Sequence, residues 1–178
     1  MTSFHAFLAI SLDGYIADAN GGVEWLAAYE GDGAEDYGYG AFVGGMDAIV
    51  IGRGSYETVL AFPDWPYAKP VTVLSHSLPA PTDDAPVDIL TDTPQEFAIR
   101  AAANGWSRVY VDGGRLVQSF LDAGLLADIV LTQAPVLLGD GRPLFQPMKT
   151  ARRLRQTRTT VYPAGLVSTH YAVEYGDL

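Results

Sequence analysis

The stretch Arg108–Gly114, RVYVDGG, decides how the chain is read. Val109, Tyr110 and Val111 form a short β-type run, Asp112 closes it, and Gly113–Gly114 make a sharp exit. The following segment, Arg115–Ala123, places Leu116, Val117, Phe120 and Leu121 at helical spacing. Gly124 stops that helix, and Ala127–Leu138 returns as an apolar strand that Pro135 bulges or ends early. Strand, glycine pair, helix and strand make a βαβ unit. Glycines at the mouth of a helix let a ligand approach the backbone, and the helix start offers unpaired N–H groups to an anion. The expectation is a docking place for a phosphate-bearing cofactor.

The same pattern occurs earlier. Asp47–Ile51 (DAIVI) reads as a buried strand, Gly52-Arg53-Gly54 ends it, and Ser55–Leu60 begins a helix with Ser55 as N-cap. Two glycine-led helix starts, each beside an arginine (Arg53, Arg115), suit a pyrophosphate. Neither is a G-x-G-x-x-G, so the Rossmann fingerprint is absent. Working outward, Phe4–Ser11 is a first strand, Asp13–Gly22 a turn-rich loop, and Val23–Tyr29 a short helix. A further helix is expected within Glu35–Met46, although each of its glycines costs about 1 kcal/mol of helix propensity. Phe62–Pro70 is a proline-rich loop, Val71–Leu74 a strand with the polar exit Ser75-His76-Ser77, Pro79–Pro86 a linker and Val87–Leu90 a weak strand. Thr93 or Asp92 caps a helix that runs through Asn104, with Pro94 in its first turn. After a loop at Leu137–Phe145, Leu154–Tyr162 and Leu166–Tyr175 form a hairpin joined by Pro163-Ala164-Gly165. The order predicts a single domain over residues 1–178, a three-layer α/β/α fold whose sheet is mostly parallel with an antiparallel C-terminal hairpin.

The bulk composition sets bounds. A chain of 178 residues, 48% hydrophobic, can bury a sizeable core. A net charge of −10 argues against nucleic acid or an anionic membrane as main partner. The absence of cysteine excludes disulfides and fits a cytoplasmic location, and no run reaches the ~18 apolar residues of a membrane span. Charge is uneven. Met1–Gly52 holds no Lys or Arg, whereas six of the eleven basic residues fall in Arg142–Arg158, which holds no acid. That basic run is either a solvated strand face or a patch for an acidic partner such as a second copy of the chain. His5 and His170 lie in apolar strands without a ligand partner at suitable spacing, so no metal is expected.

Four motifs resemble a known superfamily. Ile49–Glu57 (IVIGRGSYE) is similar to the strand–Gly-Arg motif of dihydrofolate reductases, and Val109–Leu116 (VYVDGGRL) to their second glycine motif. Ser11–Ala17 (SLDGYIA) and Gly139–Phe145 (GDGRPLF) resemble more closely the C-terminal reductase domain of bacterial riboflavin biosynthesis. The resemblance covers nearly the whole chain. It implies a dihydrofolate reductase-like fold and NADPH as cofactor, with Gly52, Arg53, Gly54 and Ser55 at the first phosphate-binding turn. It also places Gly113, Gly114, Arg115 and Leu116 at the pyrophosphate turn, and Ser75 and His76, with Arg53, around the 2′-phosphate. It implies a heterocyclic small-molecule substrate, as for 5-amino-6-(5-phosphoribosylamino)uracil reductase, and a homodimer. The chain holds no deaminase half, so reduction alone is the expected chemistry.

The proton donor is open. Reduction of a C=N bond by hydride leaves negative charge on nitrogen, so a proton must arrive. In dihydrofolate reductases a carboxylate before the Gly-Arg strand assists. By that resemblance Asp36, next to Glu35, is one candidate, expected to be buried with a raised pKa. Asp13, in the Ser-Leu-Asp-Gly stretch, is the second. Trp25, Trp65 and Tyr39 are either core residues or the walls of a flat ring's pocket. A phosphorylated substrate would need Arg142 or Lys149, since the N-terminal third has no cation before Arg53. A dihydrofolate reductase, a non-catalytic NADP-binding protein and an interaction module built on Arg152–Arg158 are the alternatives.

Overall fold

The computed structural model describes residues 1–29, 35–79, 86–148 and 150–176. Eight strands are hydrogen-bonded in the order β5-β4-β3-β6-β1-β7-β10-β9: β1 Ser3–Ser11, β3 Ala48–Gly52, β4 Val71–Leu74, β5 Val87–Leu90, β6 Arg108–Asp112, β7 Leu126–Ala134, β9 Arg153–Val161 and β10 Val167–Glu174. Two short strands, β2 (Tyr15–Ala17) and β8 (Arg142–Pro143), pair separately. The sheet is mostly parallel with antiparallel C-terminal strands, as the sequence predicts. By packing, the chain divides into two compact units, Met1–His5 with Gly45–Leu126, and Ala6–Gly44 with Ala127–Leu178.

The first unit carries the parallel strands. β3 pairs in parallel with both β4 and β6, β4 with β5, and β6 with the start of β1. Parallel strands covered on both faces read as unbroken apolar runs. Ile49, Val50 and Ile51 accordingly have no exposed surface. Phe4, Phe97 and Phe120 form an aromatic cluster, with ring centroids 4.8 Å apart for Phe4–Phe120 and 6.3 Å for the other two pairs. Phe97 sits on α3 (Pro94–Ala103), whose start is a complete capping box: Thr93 accepts from the Glu96 amide, and the Glu96 carboxylate accepts from the Thr93 amide. Phe120 sits on α4 (Gly114–Asp122), which buries Val117, Phe120 and Leu121 on one face and exposes Arg115 and Ser119. The helix α2 (Arg53–Val59) differs from expectation at its start. Gly52 is its N-cap and makes no side-chain cap bond, so Ser55 lies inside the first turn, its hydroxyl free for another use.

The second unit holds the antiparallel strands. β10 pairs with β7 and with β9, and a bulge between His170 and Tyr171 shifts the β9 register. Tyr162 closes the hairpin, donating to the Leu166 carbonyl and accepting from the Gly165 amide at its own carbonyl. β7 stops at Ala134, directly before Pro135. Val23–Tyr29 is a 3₁₀ helix over Glu24–Tyr29, and the helix expected in Glu35–Met46 shrinks to α1, Tyr39–Gly44. The left-handed backbone of Tyr37 (φ 55°) and Gly38 (φ 85°) blocks any earlier start. Of the predicted 79–86 linker, residues 80–85 lie outside the described residues, as do 30–34, Lys149 and 177–178.

Candidate active site

Both glycine turns leave the same rim of the first unit. Ile51 pairs with Asp112 and Gly52 with Leu74, so the C-terminal ends of β3, β4 and β6 stand level. In open α/β sheets, ligands bind beyond those ends. The turns also touch. Gly113 has φ 97° and ψ 129°. A Cβ on it would lie 2.6 Å from the Ser55 hydroxyl and 3.8 Å from the Gly52 amide nitrogen. Only glycine allows Ser55 and the second turn this proximity. Gly114 is buried at the first position of α4, Arg115 beside it is exposed, and the Leu116 Cβ lies 3.7 Å from where a Gly52 Cβ would be. Gly52, Ser55, Gly113 and Leu116 are thus drawn together, with Gly54 and Gly114 next to them in the chain.

Arg53 links this surface to the exit of β4. Its Nη1 donates to the Ser77 hydroxyl at 3.2 Å, and the Ser77 and Ser75 hydroxyls are 3.4 Å apart. Ser75 is buried and accepts from the Ser77 and Leu78 amides, which fixes the curl of the exit. His76 is exposed. Ser77 is therefore a cluster member that sequence reasoning passed over in favour of His76. Glu57, one helical turn on, stands 3.6 Å from the Arg53 guanidinium. Both side chains are more than half exposed, so this pair holds Arg53 only weakly.

Asp112 is the second residue that the sequence did not single out. It is half-buried at the end of β6, where it accepts from the Tyr110 hydroxyl at 3.0 Å, from the Ser55 hydroxyl and from the Gly113 amide. Desolvation pushes its carboxyl up, against the pull of those three donors. It is the one carboxyl so raised among the described residues.

The two nominated carboxylates are both shifted in the direction opposite to Asp112, and both lie in the second unit. Asp13 accepts from the Ser11 hydroxyl (2.5 Å) and from the amides of Gly139 (2.8 Å) and Leu138 (3.2 Å). The Ser11 bond chiefly holds its pKa down. It clamps the Ser11–Gly14 turn to the loop after β7. Asp36 is exposed rather than buried, and its pKa is lowered rather than raised, because its carboxylate accepts from the Gly38 and Gly40 amides at 2.8 and 2.9 Å. The expected desolvation is outweighed by these two amide donors. Arg142 is exposed on β8. The aromatic candidates belong to different units: Trp65 packs edge-on against Tyr67 in the first, Tyr39 edge-on against Phe7 in the second. Trp25, in the 3₁₀ helix, buries an indole N–H that has no acceptor among the described residues. His5 bonds the Ser3 hydroxyl, and His170 is pushed toward the neutral form by burial and by Arg158. No group of three potential metal ligands occurs among the described residues. No helix among them is long and apolar enough to cross a membrane.

Comparison with known proteins bears on the fold. The chain is 31% identical over 167 residues to the uncharacterized protein YwjB of Bacillus subtilis, covering 93% of this chain and 94% of that protein. The crystal structure of a putative riboflavin biosynthesis protein from Shewanella superposes with a TM-score of 0.92 at 33% identity, over 98% of this chain and all of the other. The bifunctional diaminohydroxyphosphoribosylaminopyrimidine deaminase/5-amino-6-(5-phosphoribosylamino)uracil reductase of Thermotoga maritima shares the fold, with a TM-score of 0.71 at 13% identity. There the match spans 97% of this chain but 56% of the longer protein. The family model of the RibD C-terminal domain matches residues 4–168, and the chain belongs to that family, a reductase-like fold of riboflavin biosynthesis.

Proposed function

We propose that the protein is an NADPH-dependent reductase of a pyrimidine- or pterin-like small molecule, most similar in chemistry to 5-amino-6-(5-phosphoribosylamino)uracil reductase. The observation that carries this reading is the contact of two glycine turns on one strand rim, with Arg53, Ser75 and Ser77 clustered beside them. The donor set fits the cofactor. Glycine backbone and the start of α4 suit a pyrophosphate, and one guanidinium with two hydroxyls suits a phosphate monoester. Gly52, Gly54, Ser55, Gly113, Gly114, Arg115 and Leu116 would hold the pyrophosphate, and Arg53 with Ser75, Ser77 and His76 the 2′-phosphate. When bound, the reduced nicotinamide supplies a hydride. Asp112, whose carboxyl desolvation pushes toward the protonated form, is the proposed proton store, while Asp13 and Asp36, held low by their hydrogen bonds, shape their loops. The late basic strand β9, at the sheet edge, is the proposed place for a second copy of the chain.

That both nominated acids are held ionised favours one competing reading, a protein that binds the dinucleotide without turning over a substrate. Loss of NADPH absorbance in a screen of pyrimidine and pterin substrates separates the two. Fluorescence titration tests the cofactor: NADPH should bind more tightly than NADH, and Gly114→Asp should abolish binding in a folded protein by setting a carboxylate against the pyrophosphate. Equal affinities, or a folded variant with unchanged affinity, would remove the assignment.

A further inference from the structure

The hydrogen bonds around Asp112 serve two customers. Its carboxyl accepts from the Ser55 hydroxyl and the Gly113 amide, and those donors belong to the very turns proposed to hold the pyrophosphate. The third donor, Tyr110, comes from the same strand. A dianionic pyrophosphate at the cradle therefore acts on the carboxyl twice. It competes for Ser55 and Gly113, and it places negative charge beside a half-buried carboxyl. Both effects disfavour the ionised carboxylate.

We infer that dinucleotide binding at the glycine cradle is coupled to uptake of a proton, up to one per chain, which comes to rest on the Asp112 carboxyl. This rests on the cofactor reading above and adds to it: the cofactor would arrive together with the proton that the reduction consumes. The raised pKa of the free protein is consistent with such a site. The ionisable residues on the elements packed against β6 leave Asp112 as the responsive group. Among the described residues of this unit they are His5 on β1, Asp47 beside β3, Arg53, Tyr56 and Glu57 on α2, and Arg115 and Asp122 on α4, besides Arg108 and Tyr110 on β6 itself. None of them makes a charge contribution at the Asp112 carboxyl, which is set by desolvation and its three hydrogen bonds. Binding that takes up one proton weakens by up to about tenfold per pH unit across the window between the free and bound pKa values.

The test is titration calorimetry of the wild-type chain with NADPH at pH 7.5 in two buffers of different ionisation enthalpy. This pH lies above the second pKa of about 6 typical of a phosphate monoester, so the 2′-phosphate contributes little. The expected result is a buffer-dependent heat corresponding to net proton uptake. Asp112→Asn should bind with no uptake and a flatter pH dependence. Ser55→Ala should take up less, because its Asp112 begins with one donor fewer and is already more protonated. Wild-type binding whose heat does not depend on the buffer, or an Asp112→Asn protein that keeps the uptake, would overturn the coupling and leave the cofactor reading standing. Failure of NADPH to bind at all would remove both.

Discussion

Replacing Gly113 with alanine tests the contact between the two turns directly. A side chain at φ 97°, ψ 129° meets backbone strain of roughly 1–3 kcal/mol. Its Cβ would also lie 2.6 Å from the Ser55 hydroxyl, closer than packed atoms tolerate. Ser55 can rotate away, but it then gives up its bond to Asp112, and a hydrogen bond to a charged group is worth about 1.5–3 kcal/mol. The two effects together give a destabilisation of about 2.5–6 kcal/mol. At about 2–4 °C per kcal/mol for a chain of this size, the melting temperature should fall by roughly 5–24 °C. Gly54→Ala is the matched control. Gly54 lies in α2 with ordinary backbone angles, and a Cβ there would meet nothing within 4 Å. It should be neutral or gain up to about 1 kcal/mol from helix propensity. Circular dichroism melts of both variants decide the matter. A Gly113→Ala protein that melts with the wild type, or a Gly54→Ala protein that melts lower than Gly113→Ala, would refute the account of how the turns meet.

Other expectations follow from the same structure. Asp13→Ala should lower the melting temperature at neutral pH. The folded pKa of Asp13 is depressed, so its contribution is complete above the ordinary value of 3.8 and fades as pH falls through the folded pKa; the gap between mutant and wild type should close in acid melts. Thr93→Ala removes the N-cap of α3 and should cost about 1 kcal/mol in urea unfolding, with no change in NADPH affinity. Arg53→Ala should weaken NADPH by about tenfold or more and NADH far less, as loss of a charged hydrogen bond to the 2′-phosphate requires; parallel losses for both nucleotides in fluorescence titration would place Arg53 elsewhere.

Much of the fold was legible because its cues are local. DAIVI and VYVD are apolar enough to announce parallel strands, Thr93-Pro94-Gln95-Glu96 spells a capping box, and Pro135 marks where β7 stops. What escaped depends on contacts that no spacing reveals. β2 and β8 are three and two residues long, too short to show a period, and they meet only through chain folding. Ser55 looked like a cap because serine before a helical run usually is one. Its actual partner, Asp112, comes from the neighbouring strand, which the sheet order alone makes a neighbour. Ser77 joins the cluster because the curl after β4 is set by amide bonds to Ser75, a detail finer than the polar composition of the exit. The burial expected of Asp36 follows from the resemblance, which does not foresee the left-handed turn at Tyr37–Gly38 beside this exposed residue.

The shared first strand has a bearing on synthesis. Ser3, Phe4 and His5 are among the first residues out of the ribosome, yet they pair with Arg108, Val109 and Tyr110. At about 5–20 residues per second, some 5–20 seconds separate the two. Throughout that interval FHAFLAI is an apolar ribbon with no registered neighbour, attractive to a chaperone or to another nascent chain. Yield from this polypeptide should therefore depend more on growth temperature and holdase supply than on the equilibrium strength of the finished sheet.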